Sequence, residues 1–342
     1  MADSNHAWND SADRNAAVRF IDINLRGVGQ IFFQNNPLTG LLILLAVFWG
    51  SIEADAVYVG IGAVVGLLVG TSVALILRAD NDSLRQGMFG FSPVLTGAAV
   101  PTFLGNDPVM WVYLVIGAAV TTVVTLAVSN LLNTWGIPAS TGPFVLTTWF
   151  LLLGAYQLSR LTIGSMGPPA LPEAAAAADF DVTAESLATS MLKGVSQVVL
   201  VGSWASGIII LIALAVSSRW AAGLGAAGTI VGTLLAIGFG ADATAISEGL
   251  WGFSPVLTAI ALGAVFLHTS WPVLLYAALG TVFTVFVQAG LITALGPLGV
   301  PTLTAPYLIA MWLFTLPKPD LAPTAHHKRV KHSVLTSDSA NQ

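Results

Sequence analysis

The sequence has no cysteine and few charged residues. Only 8% of its 342 residues are Asp, Glu, Lys or Arg, and 55% are hydrophobic, whereas a soluble domain carries roughly 25% charged residues. This shortage of charge excludes a soluble enzyme and a disordered chain. The missing cysteine excludes disulfides, thiolate zinc clusters and a thiol nucleophile. Because 12 basic residues face 17 acidic ones, no basic excess exists for binding nucleic acid.

The residues that are abundant predict an integral membrane protein. The mean hydropathy is +0.82, and 34 residues are glycine. Small residues allow transmembrane helices to approach each other closely. We therefore expect an all-α integral membrane protein with multiple spans.

Polar segments divide the apolar chain. The basic run at residues 326–332 is expected on the cytoplasmic side, where membrane proteins concentrate Lys and Arg. The acidic segment in the middle is then extracellular. The expected regions are a polar N-terminal tail (1–24), a first transmembrane repeat (25–159), an acidic extracellular linker (160–190), a second transmembrane repeat (191–316) and a polar, basic C-terminal tail (317–342).

The two halves of the chain repeat each other. The heptapeptide at residues 90–96, GFSPVLT, recurs unchanged at residues 252–258. Two further matches occur in the same order at similar offsets, and such internal repeats indicate a duplication. The further matches are 26–30 with 193–197 and 136–144 with 299–307.

Each half contains five apolar segments. Only the second and fourth segments of each half reach the roughly 20 residues that a membrane span needs. The third segments are short and begin at Ser-Pro, where we expect the serine to cap a helix. Short, proline-interrupted segments at equivalent positions predict discontinuous half-helices that line a central pore between two inverted repeats. The segments are 38–52, 57–77, 91–104, 108–128, 143–156, 205–217, 221–240, 253–267, 271–294 and 306–315.

Repeat-equivalent side chains are the candidate pore residues. Gln30 and Gln197 are expected to form a symmetric polar lining, because an amide at membrane depth needs a partner or a polar cavity. Thr141 and Thr304 each lie two residues before a proline that begins a helix. Their hydroxyl groups either cap those helices or face the pore.

Fixed charge is missing from the apolar segments 57–77, 108–128 and 271–294. An ion pathway or a proton-coupled carrier usually needs an ionisable residue inside the membrane. Glu248 is the nearest candidate, at a mouth or interface, and His268 is expected to pack between helices. These features favour a small neutral polar solute.

The repeated motifs resemble those of the urea transporters over about residues 25–316. The resemblance rests on residues 36–42 (NPLTGLL), on the Gly-x-Phe/Trp-Gly-Phe-x-x-x-Leu segments and on the Pro-x-x-Thr-x-Pro-aromatic segments. Serine at positions 92 and 254 stands where many relatives have asparagine. The resemblance implies passive, channel-like urea transport in the plasma membrane, or in the inner membrane of a bacterium. It further implies a homotrimer in membrane lipid, one pore in each protomer, and no cofactor.

The same resemblance assigns roles to ten residues. Two narrow apolar slots would admit flat molecules, two glutamines would bind urea near the outer and inner mouths, and two threonines would mark the central constriction. The slot residues are Phe91 with Leu95 and Phe253 with Leu257; the mouth residues are Gln30 with Phe33 and Gln197 with Leu200; the constriction residues are Thr141 and Thr304.

Other transport classes remain open at this point. An ammonium or short-amide channel is the nearest alternative, although the expected pair of pore histidines is missing. An ion-coupled carrier also fits inverted repeats and broken helices. A membrane enzyme does not fit, because the apolar segments carry no paired carboxylates, metal cluster or activated nucleophile.

Overall fold

The computed structural model describes residues 8, 10–173 and 180–317. From Ala16 onward the described chain forms fourteen α-helices, seven in each half of the sequence, and Leu104 and Ile163 form an isolated β-bridge. The first half contains α1 (Ala16–Gly29), α2 (Pro37–Glu53), α3 (Val57–Ile76), α4 (Asn81–Arg85), α5 (Phe91–Phe103), α6 (Pro108–Asn133) and α7 (Gly142–Ala155). The second half contains α8 (Ala184–Ser196), α9 (Trp204–Ser217), α10 (Arg219–Gly238), α11 (Ala243–Ser247), α12 (Phe253–Ile260), α13 (Trp271–Leu295) and α14 (Ala305–Thr315).

Four helices in the described chain are long and apolar enough to cross a membrane, namely α3, α6, α10 and α13. They correspond to the second and fourth apolar segments of each half. Two bent helix pairs meet the same criteria only when each pair is taken together, as a broken span or a re-entrant loop: α1 meets α2 at 74°, and α8 meets α9 at 70°. Helices α5, α7, α12 and α14 are apolar but shorter. The prediction of an all-α membrane protein is confirmed.

Helices α1 and α8 precede the apolar segments and are not predicted by apolar run length. Both are amphipathic and begin at a side-chain cap: Asn15 accepts hydrogen bonds from Ala17 and Val18 in α1, and Thr183 forms a capping box with Ser186 in α8. Helix α1 crosses the expected boundary at residue 24, and α8 begins inside the expected linker. The expected tails and linker fall partly outside the described residues, and the basic run at 326–332 lies wholly outside them.

The two halves share unusual backbone conformations as well as their helix order. Phe33 and Leu200 have φ angles of 63° and 61°, and Ser140 and Leu303 have φ angles of 47° and 48°. Non-glycine residues rarely adopt this left-handed region. Its recurrence at equivalent positions supports the duplication, while the inverted orientation of the halves stays a prediction.

Helices α2 and α9 join the halves through reciprocal hydrogen bonds. The Thr39 hydroxyl donates to the Ala213 carbonyl at 2.9 Å, and the Ser206 hydroxyl donates to the Ala46 carbonyl at 2.7 Å. These four residues are buried. The two helices therefore pack against each other, and both buried hydroxyl groups have a hydrogen-bond partner.

The backbone of α5 packs directly against that of α3. A β-carbon on Gly97 would lie 2.2 Å from the Gly62 carbonyl oxygen, so only glycine fits at this crossing. The same helix carries Phe91 and Leu95 on another face, one turn apart. The crossing with α3 thus fixes how α5 presents those two side chains.

Candidate functional site: a pore between the halves

The half-helices α5 and α12 begin two residues earlier than a serine cap predicts. Gly90 and Gly252 occupy the N-cap positions, and neither helix has a side-chain cap. The expectation that Ser92 and Ser254 cap these helices is therefore wrong. Gly90 (φ −92°, ψ −35°) and Gly252 (φ −91°, ψ −36°) already have right-handed helical angles, so each serine lies inside the first turn.

The four slot residues lie in one hydrophobic cluster. Phe91, Leu95, Phe253 and Leu257 are all less than a tenth exposed, although they come from opposite halves of the sequence. Phe33 and Leu200 pack against the same cluster. All six apolar candidates are thus gathered in the interior where the halves meet.

The two threonines form the central polar contact. Their hydroxyl oxygens, Thr141 Oγ1 and Thr304 Oγ1, lie 2.8 Å apart, and both residues are buried. Each occupies the N-cap position of its helix without making a side-chain cap hydrogen bond. The hydroxyl groups therefore bind each other, and of the two interpretations of these threonines the capping one is wrong.

Two tryptophans hold the threonine loops in place. Trp149 Nε1 donates to the Pro301 carbonyl at 2.9 Å, and Trp312 Nε1 donates to the Pro138 carbonyl at 3.0 Å. Each bond runs from one half to the loop of the other half. Sequence reasoning missed both residues, although the signal was present as a tryptophan six residues after Pro143 and again after Pro306.

Tyr307 is a further central residue that sequence reasoning missed. It is fully buried, and its phenol lies 2.6 Å from the Ser140 hydroxyl. The Phe33 ring meets Tyr307 edge to face at a centroid distance of 6.1 Å and Phe266 at 5.7 Å. The equivalent of Tyr307 in the first half is Phe144, so this hydrogen bond has no repeat counterpart there.

The two glutamines are held in the same way at the two mouths. Gln30 Nε2 donates to the Gln86 carbonyl at 2.9 Å, and Gln197 Nε2 donates to the Glu248 carbonyl at 2.9 Å. Both glutamines are partly buried. Because the amide nitrogen is engaged, the amide oxygen of each glutamine is directed away from that carbonyl and is oriented as a hydrogen-bond acceptor.

A charged group lies one helical turn before each of the two glutamines. Lys193 Nζ contacts Glu248 Oε1 at 2.9 Å beside Gln197. At the other mouth, Arg26 binds Asp22 and Asn35 through its guanidinium group. At the loop before α4, the pKa of Asp80 lies below its ordinary value, because the Ser83 backbone N–H donates to its carboxylate.

His268 lies exposed in the loop before α13, so the expectation that it packs between helices is wrong. The short turn at 268–270 breaks the apolar stretch and brings this residue to the surface. Among the described residues, no group of three or more His, Asp or Glu side chains could hold a metal ion.

The candidate residues combine buried apolar side chains with a few oriented polar groups. Apolar side chains offer no counter-charge to an ion that has lost its water. The hydroxyl groups and amide oxygens are potential acceptors for N–H groups. Such an arrangement suits a small planar molecule that exchanges its water for protein hydrogen bonds.

Comparison with known proteins adds a family and several relatives. The family model described as "Urea transporter" matches residues 21–319. The protein named Urea transporter 1 from Ovis aries is 27% identical over 310 residues, which cover 89% of this chain and 78% of that protein. Urea transporter 1 from Rattus norvegicus is 28% identical over 312 residues, with the same two shares.

Proposed function

Because this chain belongs to the urea transporter family, we propose that it conducts urea passively through a pore within each protomer. Membership of a family of transporters confirms the prediction that the chain is not an enzyme. The observation that carries the proposal is the contact between Thr141 and Thr304, which joins the two halves at a buried point. The chain neighbours Leu303 and Ala305 belong to the same hydrophobic cluster as the slot residues.

Urea is planar and has N–H donors at two corners and a carbonyl acceptor at the third. Losing water from these groups without replacement would cost several kcal/mol. In the proposed path, Gln30 and Gln197 accept N–H groups at the mouths, beside Phe33 and Leu200. The slots Phe91–Leu95 and Phe253–Leu257 then select the flat shape, and the threonine pair replaces water at the centre.

The proposed mechanism requires that each site along the path, from the glutamines to the threonine pair, binds urea weakly. A passive channel conducts quickly only if each site releases its solute as readily as it admits it. Neutral hydroxyl and amide groups meet that requirement better than charged groups, since hydrogen bonds to charged groups are stronger. Ions find no compensating charge between the slots and are excluded.

The same proposal includes the setting of the channel. We place it in the plasma membrane, or in the inner membrane if the cell is bacterial, as a homotrimer surrounded by lipid. The expected regions 25–159 and 191–316 then form two inverted repeats around each pore. Support comes from the family resemblance and from exposed apolar residues on the long helices, such as Val112, Ile116 and Leu275.

Urea entry into proteoliposomes, followed by stopped-flow light scattering, tests the proposal. We expect fast entry that is independent of any imposed Na⁺ or H⁺ gradient. Entry that requires a gradient would instead indicate an ion-coupled carrier. If folded protein passes ammonia or short amides but no urea, the proposed substrate is wrong. Empty liposomes and the Thr304→Val variant serve as controls, and chemical cross-linking in the membrane tests the trimer.

A further inference from the structure

A group of three buried polar atoms near the start of α12 has no hydrogen-bond partner in the part of the chain that the structure describes. The atoms are Trp251 Nε1, Ser254 Oγ and Gln288 Oε1. Each of these residues is less than a tenth exposed. Buried polar atoms in native proteins are nearly always paired with protein or with ordered water, so these three atoms require a partner.

The indole of Trp251 and the amide of Gln288 border the same part of α13. Gln288 Nε2 donates to the Leu250 carbonyl. Because a carbonyl can only accept, this bond fixes the orientation of the amide and leaves Oε1 as an acceptor on its other side. Trp251 follows Leu250 in the chain, and its side chain packs in one hydrophobic cluster with Val285. Val285 precedes Gln288 by one turn on the same helix.

Ser254 lies on the face of α12 that packs against α13. One turn further along α12, Thr258 Oγ1 lies 2.8 Å from Thr284 Oγ1 of α13. The Gln288 amide, later in α13, contacts the chain just before α12 begins, so the two helices run antiparallel. One turn beyond the threonine contact, this register places Ser254 opposite Gln288.

The first half carries fewer polar atoms at the equivalent positions. Ser92, the equivalent of Ser254, is also buried and without a partner among the described residues. Phe89 stands in place of Trp251, and Thr125 stands in place of Gln288. The Thr125 hydroxyl donates to a carbonyl of its own helix at 2.8 Å. The unpaired indole donor and amide acceptor are therefore features of the second half.

We infer that Trp251, Ser254 and Gln288 bind one buried water molecule between α12 and α13. The three groups are neutral and enclosed, which suits a small uncharged ligand. Water accepts from the indole N–H, donates to the amide oxygen and bonds to the serine hydroxyl, which gives the roughly three hydrogen bonds typical of internal water. Phe253 lies between Trp251 and Ser254 in the chain, so the water connects the segment that carries this slot residue to α13. The site and its test do not depend on transport.

Alanine at the two equivalent serines tests whether the site holds water. Ser254 and Ser92 lie in the same heptapeptide and are both buried, so Ser92→Ala is a matched control. Removing a buried hydroxyl group that has no partner leaves stability unchanged or raises it, whereas removing one that bonds to water loses a hydrogen bond. We expect Ser254→Ala to lower the melting temperature in detergent by about 2–4 °C, and Ser92→Ala not to lower it. An equal response of the two variants, or a rise for Ser254→Ala, overturns the proposal.

A second variant tests whether Ser254 and Trp251 share one water molecule. Trp251→Phe removes the indole donor and introduces the residue type of the first half. The double variant Trp251→Phe, Ser254→Ala should lose less thermal stability than the sum of the two single losses, because both changes act on the same water. Additive losses would contradict a shared water molecule.

A crystal structure of the unaltered protein at a resolution that shows ordered water tests the site directly. We expect a density peak for one water molecule about 2.7–3.2 Å from Trp251 Nε1 and from Gln288 Oε1, and its loss in Trp251→Phe. No peak at this point, or a peak too large for one water molecule, overturns the proposal.

Discussion

The first and second halves of the molecule share their helix order and several backbone conformations. They differ in the side chains at repeat-equivalent positions. Gln30 and Gln197 donate to equivalent carbonyls at the same distance of 2.9 Å. Their neighbours differ: the repeat equivalent of Phe33 is Leu200, and that of Asn35 is Gly202. The duplication has therefore kept hydrogen bonds that fix the backbone, while side chains that border the mouths have diverged.

The contact between α3 and α5 at Gly97 gives the largest expected difference in stability between variants of the two halves. Gly97 of α5 has Ala259 of α12 as its equivalent. Gly97→Ala would place a methyl group 2.2 Å from the Gly62 carbonyl, and we expect it to destabilise the protein by about 3 kcal/mol. Ala259→Gly, the reverse change, should cost only about 1 kcal/mol. Thermal unfolding in detergent measures both, and equal melting temperatures would contradict the asymmetry.

Replacing either threonine of the buried pair should slow urea entry to the same extent. Thr141→Val and Thr304→Val each remove the same hydrogen bond, and we expect urea entry to fall about tenfold, or ~1.4 kcal/mol in barrier height. The double variant should be little slower than either single one, because both changes delete one shared contact. Serine at either position is the control that keeps the hydroxyl. An effect of only one single variant would show that the hydroxyl groups act separately.

The aromatic slots should control shape selection. Phe91→Ala and Phe253→Ala each widen a slot, so entry of an N-methylated urea should rise several-fold relative to urea. Phe150→Ala is the matched control, because this phenylalanine is 69% exposed on the outer face of α7. Unchanged selectivity in both slot variants would remove these residues from the pore.

The reciprocal tryptophans give the smallest expected effect. Trp149→Phe and Trp312→Phe each delete one N–H bond to a carbonyl of the opposite half. Each should lower the free energy of unfolding by about 1 kcal/mol, and the two melting temperatures should agree. A large difference between them would mean that the two loops are not held equivalently.

The sequence is enough to predict the membrane class and most of the apolar helices, because these depend on composition and run length. The identical motifs at residues 90–96 and 252–258 predict the duplication. Helices α1 and α8 escape prediction because their amphipathic sequences resemble polar tails. Their identity as helices depends on caps such as Asn15 and on packing against α2 and α9.

The sequence predicts residue types for the candidate site but not the contacts between them. Thr141 and Thr304 were identified from their spacing to proline, but spacing alone could not distinguish capping from mutual contact. That choice depends on how the loops of two distant segments meet, which Trp149 and Trp312 fix through bonds across the molecule. Ser92 and Ser254 do not cap these helices, because Gly90 and Gly252 already have right-handed helical angles two residues earlier.

The contact between Thr141 and Thr304 has one more consequence. Two hydroxyl groups 2.8 Å apart form one hydrogen bond, so at any instant one group is the donor and the other is the acceptor. The acceptor keeps its own hydrogen free to point elsewhere. Rotation of both C–O bonds exchanges the two states, so neither hydroxyl group is fixed as the donor. In the proposed pore, a carbonyl arriving from either side would then meet a free O–H, and the centre would favour neither direction of travel.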